Sequence, residues 1–168
     1  WEMAEARGAD ILAEVLGGAS TADAHHITAP SPGGMGAITC MRLALEEAGV
    51  EPHQISHVNA HGTSTPLNDM AEAVAMAEVF GADGPLVTST KGITGHALGA
   101  AGAIEAVAVV LSMDKGLIPP TAGYATPDPD MPALNLVTGA PAPWEPGISM
   151  SNSFGFGGHN GSVVLAPA

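Results

Sequence analysis

The sequence predicts an α/β fold, because short apolar segments typical of strands alternate with longer segments of helical periodicity. Residues 55–60 precede a helix that we expect from about residue 67 to 80, and residues 85–89 precede an apolar helix over 97–113. The second helix is apolar on nearly every side, and glycines lie at 92, 95, 99 and 102, so we expect it to be buried and densely packed. Open α/β sheets place their chemistry at strand-loop-helix corners of this kind. With 46% hydrophobic residues in 168, residues 1–168 can form one domain with its own core, or one lobe of something larger.

The charge composition excludes several classes of partner. There are 17 acidic residues against 4 basic ones, a net charge of −13 at pH 7, which argues against a nucleic-acid or anionic-membrane surface. The apolar segments contain too much glycine and too many polar residues for a membrane span. The single cysteine, Cys40, cannot form an internal disulfide, so we expect a cytosolic protein.

The amino-terminal third contains one strand and one amphipathic helix. Residues 1–7 resemble the end of a helix that began upstream, so we expect the chain to be a portion of a longer one. Residues 11–16 favour a strand that ends at Gly17 and Gly18. The helix predicted over 36–48 has apolar residues at helical spacing and ends at Gly49, a residue suited to a left-handed cap. Cys40 lies in the middle of this helix, where a buried structural thiol is the expected role.

The loop over 20–32 contains the adjacent histidines His25 and His26. No acid or cysteine lies at ligand spacing from them, so we expect solvated or hydrogen-bonded side chains rather than a metal site. A metal site built from His57 and His61 is also excluded, because a strand separates residues four apart by about 13 Å.

The carboxyl-terminal third predicts a Pro-rich connection followed by three short strands. Residues 118–132 contain repeated prolines and are expected to wrap the surface. Strands are expected over 134–138, 147–152 and 161–166. The glycine-rich loop over 151–161 has Asn160 in place of the third glycine of a nucleotide-binding fingerprint, and no helix follows it, so it is not a phosphate site. Phe154 and Phe156 alternate with glycine there, which indicates a gate on a permissive backbone.

Three residues carry the chemistry of the predicted strand ends. His61 follows the strand over 55–60, and Lys91 and His96 lie where the next strand passes into the apolar helix. Taken one at a time, each is compatible with a buried structural role.

Three loops read together resemble one family. They are Asn-Ala-His-Gly-Thr-Ser-Thr-Pro at 59–66, Thr-Lys-Gly-Ile-Thr-Gly-His at 90–96 and Asn-Ser-Phe-Gly-Phe-Gly-Gly at 152–158. In order and spacing they are similar to the carboxyl-terminal half of the β-ketoacyl-acyl-carrier-protein synthases, the type II condensing enzymes of fatty acid synthesis. The resemblance covers nearly the whole chain. It implies a thiolase-like fold, in which this chain is the second βαβαβ half of a dimeric, five-layered αβαβα body.

The resemblance also implies a reaction and its site residues. Members of the family decarboxylate malonyl-carrier protein and join the resulting carbanion to an acyl group held on a cysteine. Lys91 and Glu105 would pair, and phosphopantetheine is carried by the acyl carrier protein, so no separate cofactor is expected. The implied positions are the two active-site histidines His61 and His96, the lysine Lys91, the gating and oxyanion positions Phe156 and Phe154, the phosphopantetheine-binding Thr63 and Thr65, and a candidate monovalent-cation site at Asn59, Glu105 and Asn152.

The chemistry explains why such residues are needed. Decarboxylation leaves an enolate on the thioester oxygen, and two neutral imidazoles aimed at that oxygen stabilise charge as it develops. We expect His96 to be neutral, because of burial and a position before a helix, and to donate from Nε2. Lys91 would supply positive potential and a hydrogen bond near the second histidine.

The sequence departs from the family pattern at two places and is compatible with three alternative functions. The nucleophilic cysteine of the family belongs to the amino-terminal half, and Cys40 does not match it, so this chain alone should not condense anything. His159 stands where many members have Thr, although Gly-Gly-His-Asn is similar to actinobacterial relatives. The alternatives are a polyketide ketosynthase, a noncatalytic synthase-like partner and a degradative thiolase. The expected partners are an acyl carrier protein, the amino-terminal half and a second copy.

Overall fold

The computed structural model describes all 168 residues and contains a six-stranded mixed sheet with helices on both faces. The strand order in the sheet is β1-β8-β7-β2-β3-β5, and β4 and β6 form a separate antiparallel pair. The strands are β1 (Ala13–Ala22), β2 (His57–Asn59), β3 (Leu86–Thr88), β4 (Leu117–Ile118), β5 (Asn135–Leu136), β6 (Ala142–Pro143), β7 (Ser149–Gly155) and β8 (His159–Pro167). The helices are α1 (Glu2–Ala6), α2 (Met35–Ala48), α3 (Pro66–Phe80), α4 (Lys91–Thr94) and α5 (Ala101–Lys115).

The sheet separates two helical layers. Strands β7, β2, β3 and β5 are parallel to one another, and β8 and β1 continue the sheet in antiparallel fashion. Val164 on β8 packs into the main core with α2 and α3, whereas its neighbour Leu165 packs with Val109 and Met113 of α5. Because successive strand residues point to opposite faces, α2 and α3 lie on one face of the sheet and α5 on the other.

The first strand is longer than its sequence predicts. Gly17 and Gly18 were expected to end it, but β1 continues through both of them to Ala22. A Cβ on Gly17 would lie 2.6 Å from the backbone nitrogen of Ala48. Glycine is therefore needed here to let α2 approach the strand, not to turn the chain. The α2 prediction is confirmed, since Gly49 follows it with φ 65°.

The apolar helix differs from the prediction in two ways. The segment after β3 forms the single-turn α4, a short 3-10 turn at Leu98–Ala100, and then α5. Helix α5 was expected to be buried on all sides, but Ile104, Val107 and Leu111 are 39%, 58% and 53% exposed. Gly95 and Gly99 also have open space beside them rather than the dense packing expected. One face of α5 packs on the sheet and the opposite face is bare within this chain.

The Pro-rich connection and the glycine-rich loop are more ordered than expected. Ile118 is fully buried and pairs with Ala142, so the connection begins inside the protein, while residues 123–130 are exposed as predicted. Strands β7 and β8 form a hairpin that extends into the predicted loop and leaves a short turn around Phe156–Gly158. None of the helices combines the length and the apolar character that crossing a membrane would require.

Candidate active site

The parallel strands bring the three motif loops to one edge of the sheet. Asn59, the last residue of β2, is in register with Thr88 on β3 and with Ser151 on β7. Because parallel strands end at the same edge, the residues that follow β2 and β3 lie beside β7. His61 follows β2 directly, and its ring lies 5.7 Å from that of Phe154 on β7, measured between centroids.

His61 lies at one end of a buried chain of polar side chains. Its Nδ1 is 3.2 Å from the Nζ of Lys91, and Lys91 forms an ion pair with Glu105 of α5. All three side chains are almost completely buried. A lysine ammonium has only donors, so Nδ1 of His61 accepts, and the proton of the neutral ring is on Nε2. The structure contains the pairing of Lys91 with Glu105 that the resemblance implies, but Lys91 contacts the first histidine and not the second.

His96 is fixed in the same tautomer by a different donor. The backbone N–H of Leu98 donates to Nδ1 of His96 at 3.1 Å, which leaves the ring proton on Nε2. Leu98 reaches this position with φ 52°, an unusual value for a leucine. The rings of His61 and His96 meet edge to face, with centroids 5.3 Å apart and planes at 86°. The expected burial of His96 is wrong for this chain, where the residue is exposed.

The electrostatic environment favours neutral His61. Burial, followed by the positive charge of Lys91 and then by the electrostatic influence of His96, lowers the pKa of His61 from 6.5 to about 3. At neutral pH this ring therefore carries one proton, on Nε2, and can donate one hydrogen bond. Two adjacent imidazoles with free Nε2–H groups form a donor pair suited to an oxygen that gains negative charge.

The two aromatic residues of the hairpin have different environments. Phe154 is partly buried and packs beside His61, whereas Phe156 is 77% exposed at the turn. The turn is tied to the preceding loop, because the N–H of Gly157 donates to the carbonyl of Ile27 at 2.7 Å. Phe156 therefore protrudes from the turn, two residues beyond the Phe154 ring that packs beside His61.

Thr63 and Thr65 lie together on the loop after His61. Their hydroxyl oxygens are 2.8 Å apart, and Ser64 between them has φ 61°. This turn presents two hydroxyls side by side next to His61, where a polar substrate arm could bind.

Glu72 of α3 is a residue of the site that the three motif loops do not include. Glu72 is 3% exposed, and its two carboxylate oxygens accept the backbone N–H groups of His61 and Gly62, both at 2.8 Å. Burial raises the pKa of Glu72, while these two amide bonds act in the opposite direction. The signal for this contact in the sequence is an acidic residue eleven positions after His61, on the buried face of α3.

Two of the three residues expected to bind a monovalent cation have side-chain atoms free to do so. Asn59 has no hydrogen-bond partner for either side-chain atom, and Oε2 of Glu105 is also unpaired, although both residues are buried. Such unpaired oxygens are suitable ligands for a hard cation. The side chain of Asn152 is already engaged, because its Oδ1 accepts from Ser162 and its Nδ2 contacts the sulfur of Met41.

The remaining polar candidates lie outside the site. Cys40 is fully buried on α2 with its Sγ 3.3 Å from the carbonyl of Ala19, which confirms a buried thiol. His25 and His26 are exposed, and Nδ1 of His26 accepts the N–H groups of Thr28 and Ala29. The chain contains no cluster of three or more His, Cys, Asp or Glu that could hold a metal ion.

Comparisons with known proteins agree with this geometry. Residues 12–125 match the family described as "Beta-ketoacyl synthase, C-terminal domain". The chain is 47% identical over 166 residues to 3-oxoacyl-[acyl-carrier-protein] synthase 2 of Staphylococcus aureus, covering 98% of this chain and 41% of the relative. The chain thus spans about two fifths of the length of the curated relatives it matches.

Solved structures show the same fold. The ishigamide ketosynthase/chain length factor superposes with a TM-score of 0.95 at 41% identity, covering 99% of this chain and 41% of that one. A ketosynthase of a type II polyketide system, solved with its acyl carrier protein and bound to a hexaketide, also gives 0.95 at 38% identity, covering 100% and 41%. The expected thiolase-like α/β fold is confirmed, and the chain belongs to the β-ketoacyl synthase family, of which it represents the carboxyl-terminal domain.

Proposed function

We propose that this chain supplies the decarboxylating part of the active site of a 3-oxoacyl-acyl-carrier-protein synthase. The observation that carries the proposal is the pair of neighbouring imidazoles, both fixed with the proton on Nε2. The identity of 47% to a synthase 2 over nearly the whole chain supports the same assignment.

The proposed reaction begins with malonyl-carrier protein. The bond between the malonyl α-carbon and its carboxylate breaks, CO₂ leaves, and the electron pair moves to the thioester oxygen as an enolate. The Nε2–H groups of His61 and His96 donate to that oxygen as the charge forms. The carbanion then attacks an acyl thioester on a cysteine outside this chain, and the cysteine thiolate leaves. The backbone amide of Phe156 contributes to the oxyanion hole for this second step.

The positively charged Lys91 orients His61 and does not form a covalent bond with substrate in this scheme. Its ammonium is shared between Nδ1 of His61 and the carboxylate of Glu105, so it fixes the His61 tautomer and adds positive potential near the enolate. Thr63 and Thr65 bind the phosphopantetheine arm of the carrier protein, and the site needs no cofactor of its own. A monovalent cation held by Asn59 and Glu105 would stabilise the buried strand ends, and Asn152 would complete that site only by releasing its side-chain bond to Ser162.

The test uses this chain joined to the amino-terminal portion that its relatives carry, which we call the joined protein. His61→Ala and His96→Ala should each reduce malonyl-carrier-protein decarboxylation by about 10² to 10³, the usual loss for one oxyanion donor. His53→Ala is the matched control, because His53 is exposed on the turn before β2, and His61 follows the opposite end of that strand. Unchanged CO₂ release in either site variant, with a native circular dichroism spectrum, would refute the enolate role.

The bare face of α5 supports the proposed partner half. Ile104, Val107 and Leu111 form an apolar stripe on that helix, and the relatives have about three fifths of their length outside the match. A contiguous apolar surface of this kind marks an interface. We propose that the amino-terminal half covers this stripe, that the complete body forms a homodimer, and that it works in the cytosol.

A polyketide ketosynthase is a second candidate, because two of the similar structures are described as ketosynthases and one was solved with a polyketide chain. Both candidates take an acyl carrier protein as partner. Mass spectrometry of the carrier-bound product after repeated extension distinguishes them. In the presence of the reductive enzymes, saturated acyl chains indicate fatty acid synthesis, and retained β-keto groups indicate the polyketide pathway.

A further inference from the structure

The Pro-rich connection over 118–132 contacts the end of β3, directly before the loop that contains Lys91. The hydroxyl of Thr88 donates to the carbonyl of Pro119 at 2.7 Å, and the backbone N–H of Ser89 donates to the hydroxyl oxygen of Thr121 at 3.1 Å. Thr88 and Ser89 are both buried. The connection therefore supplies acceptors to two groups that have no access to water.

Ser89 also contacts the loop that contains His61. The hydroxyl of Ser89 donates to the carbonyl of Gly62 at 3.0 Å, and Gly62 follows His61 directly. A Cβ on Gly62 would lie 2.6 Å from the side chain of Ser89, so the two loops are in close contact. Ser89 thus links Thr121 on one side to the backbone beside His61 on the other.

The turn that contains Lys91 also packs against the Pro-rich connection. Gly92, the residue after Lys91, lies so close to the carbonyl of Ala122 that any side chain at 92 would overlap it. Thr121 itself is held by the sheet, because its N–H donates to the carbonyl of Val137 at 2.8 Å, and Val137 in turn donates to Val87 of β3 at 2.9 Å. The connection therefore forms a fixed support under both loops.

We propose that Thr121 is a positioning residue that sets the His61–Lys91 contact through Ser89. The proposal rests on the proposed function for its catalytic consequence, but not for its structural one. Without the Thr121 hydroxyl, the buried N–H of Ser89 has no acceptor, and the cost of leaving it unpaired is relieved by movement of Ser89. Because Ser89 is bonded to Gly62, that movement displaces the backbone next to His61 and changes the distance between Nδ1 and the Lys91 ammonium.

The test compares three variants of the joined protein. Thr121→Val removes the acceptor at nearly constant shape, Thr121→Ser retains it, and Thr138→Val makes the same chemical change at an exposed threonine of the same region. We expect Thr121→Val to exchange the Ser89 amide hydrogen about tenfold faster and to shift the imidazole ¹⁵N signals of His61. The decarboxylation kcat should fall about tenfold or more with KM changed less than about twofold.

The outcomes separate the two proposals. Thr121→Ser and Thr138→Val should match the unaltered protein in all three measurements. Unchanged Ser89 exchange and unchanged His61 signals in Thr121→Val would overturn the positioning role, whatever the activity. If the unaltered joined protein releases no CO₂, the proposed function fails, and the exchange and ¹⁵N measurements still decide the positioning role. If Thr121→Val does not fold, Thr121→Ala replaces it as the variant without the acceptor: shifted His61 signals in Thr121→Ala but not in Thr121→Ser support the role, and unchanged signals in Thr121→Ala refute it.

Discussion

Glu72→Gln in the joined protein tests whether the buried acid on α3 holds the histidine loop. Each carboxylate oxygen of Glu72 accepts one backbone N–H, from His61 and from Gly62. Glutamine keeps the size of the side chain but has a single acceptor oxygen, so its NH₂ group would face one of the two amides. The substitution therefore breaks one of the two bonds to the buried backbone at His61 and Gly62 while leaving the packing of α3 intact.

The expected magnitude follows from three terms. A buried N–H left without an acceptor costs about 1–3 kcal/mol, and the remaining bond loses its charge-assisted strength, roughly half. Against these, a neutral side chain no longer opposes its own burial, the effect that raises the pKa of Glu72. We expect a net loss of about 2 kcal/mol in the free energy of unfolding, and a decarboxylation rate about ten- to a hundredfold lower because His61 is displaced.

The assay is urea unfolding followed by intrinsic fluorescence, together with CO₂ release. Glu78→Gln is the matched control on the same helix, since Glu78 is exposed and pairs with Arg42 at the surface. That control should change stability by less than about 0.5 kcal/mol. Equal stability and equal turnover in the Glu72 and Glu78 variants would refute the reasoning.

Three further predictions concern the buried charges, the buried histidine and the bare helix face. Lys91→Met should destabilise the joined protein by about 3–5 kcal/mol in urea unfolding, because Glu105 is left buried and unpaired. Adding Glu105→Leu should restore most of the lost stability. Equal stability of the single and double variants would contradict this prediction. Burial lowers the pKa of His57 from 6.5 to about 4 with neither ring nitrogen bonded, so the unfolded chain binds a proton first and stability falls as pH drops from about 6.5 towards 4. At about 1.4 kcal/mol per pKa unit, His57→Phe should remove up to about 3 kcal/mol of that acid sensitivity, and an unchanged profile of unfolding free energy against pH would count against it. Val107→Asp should prevent association of separately expressed halves in size-exclusion chromatography, while Leu43→Asp on the outer face of α2 should not; association of the Val107 variant would exclude α5 from the interface.

Local sequence patterns were sufficient to predict the helices and strands that carry the site. The α2 helix ends at Gly49 as its left-handed cap requires, and β2, β3 and α3 lie where the apolar runs of the sequence place them. The assignment of the three motif loops rests on their joint resemblance to the β-ketoacyl synthases, because each polar residue taken alone is compatible with a buried structural role.

The errors share a physical cause, which is that nonlocal packing decided the outcome. The pattern at Gly17 and Gly18 reads as a turn, and only the closeness of Ala48 shows that the strand continues. The apolar pattern of α5 predicts a helix buried on all sides, but only one face packs on the sheet and the other is exposed within this chain. In the same way, nothing local links Thr121 to Ser89 across 32 positions, or Glu72 to the backbone of His61.

The tautomers of His61 and His96 test the account most directly, because the enolate role requires both rings to donate from Nε2. Long-range ¹H–¹⁵N correlation spectra of the joined protein, labelled with ¹⁵N-histidine and recorded at pH 8, distinguish the two neutral tautomers. Assignment comes from His61→Ala and His96→Ala. The structure predicts a protonated Nε2 and an unprotonated, hydrogen-bonded Nδ1 in both rings. A protonated Nδ1 in either ring would contradict it.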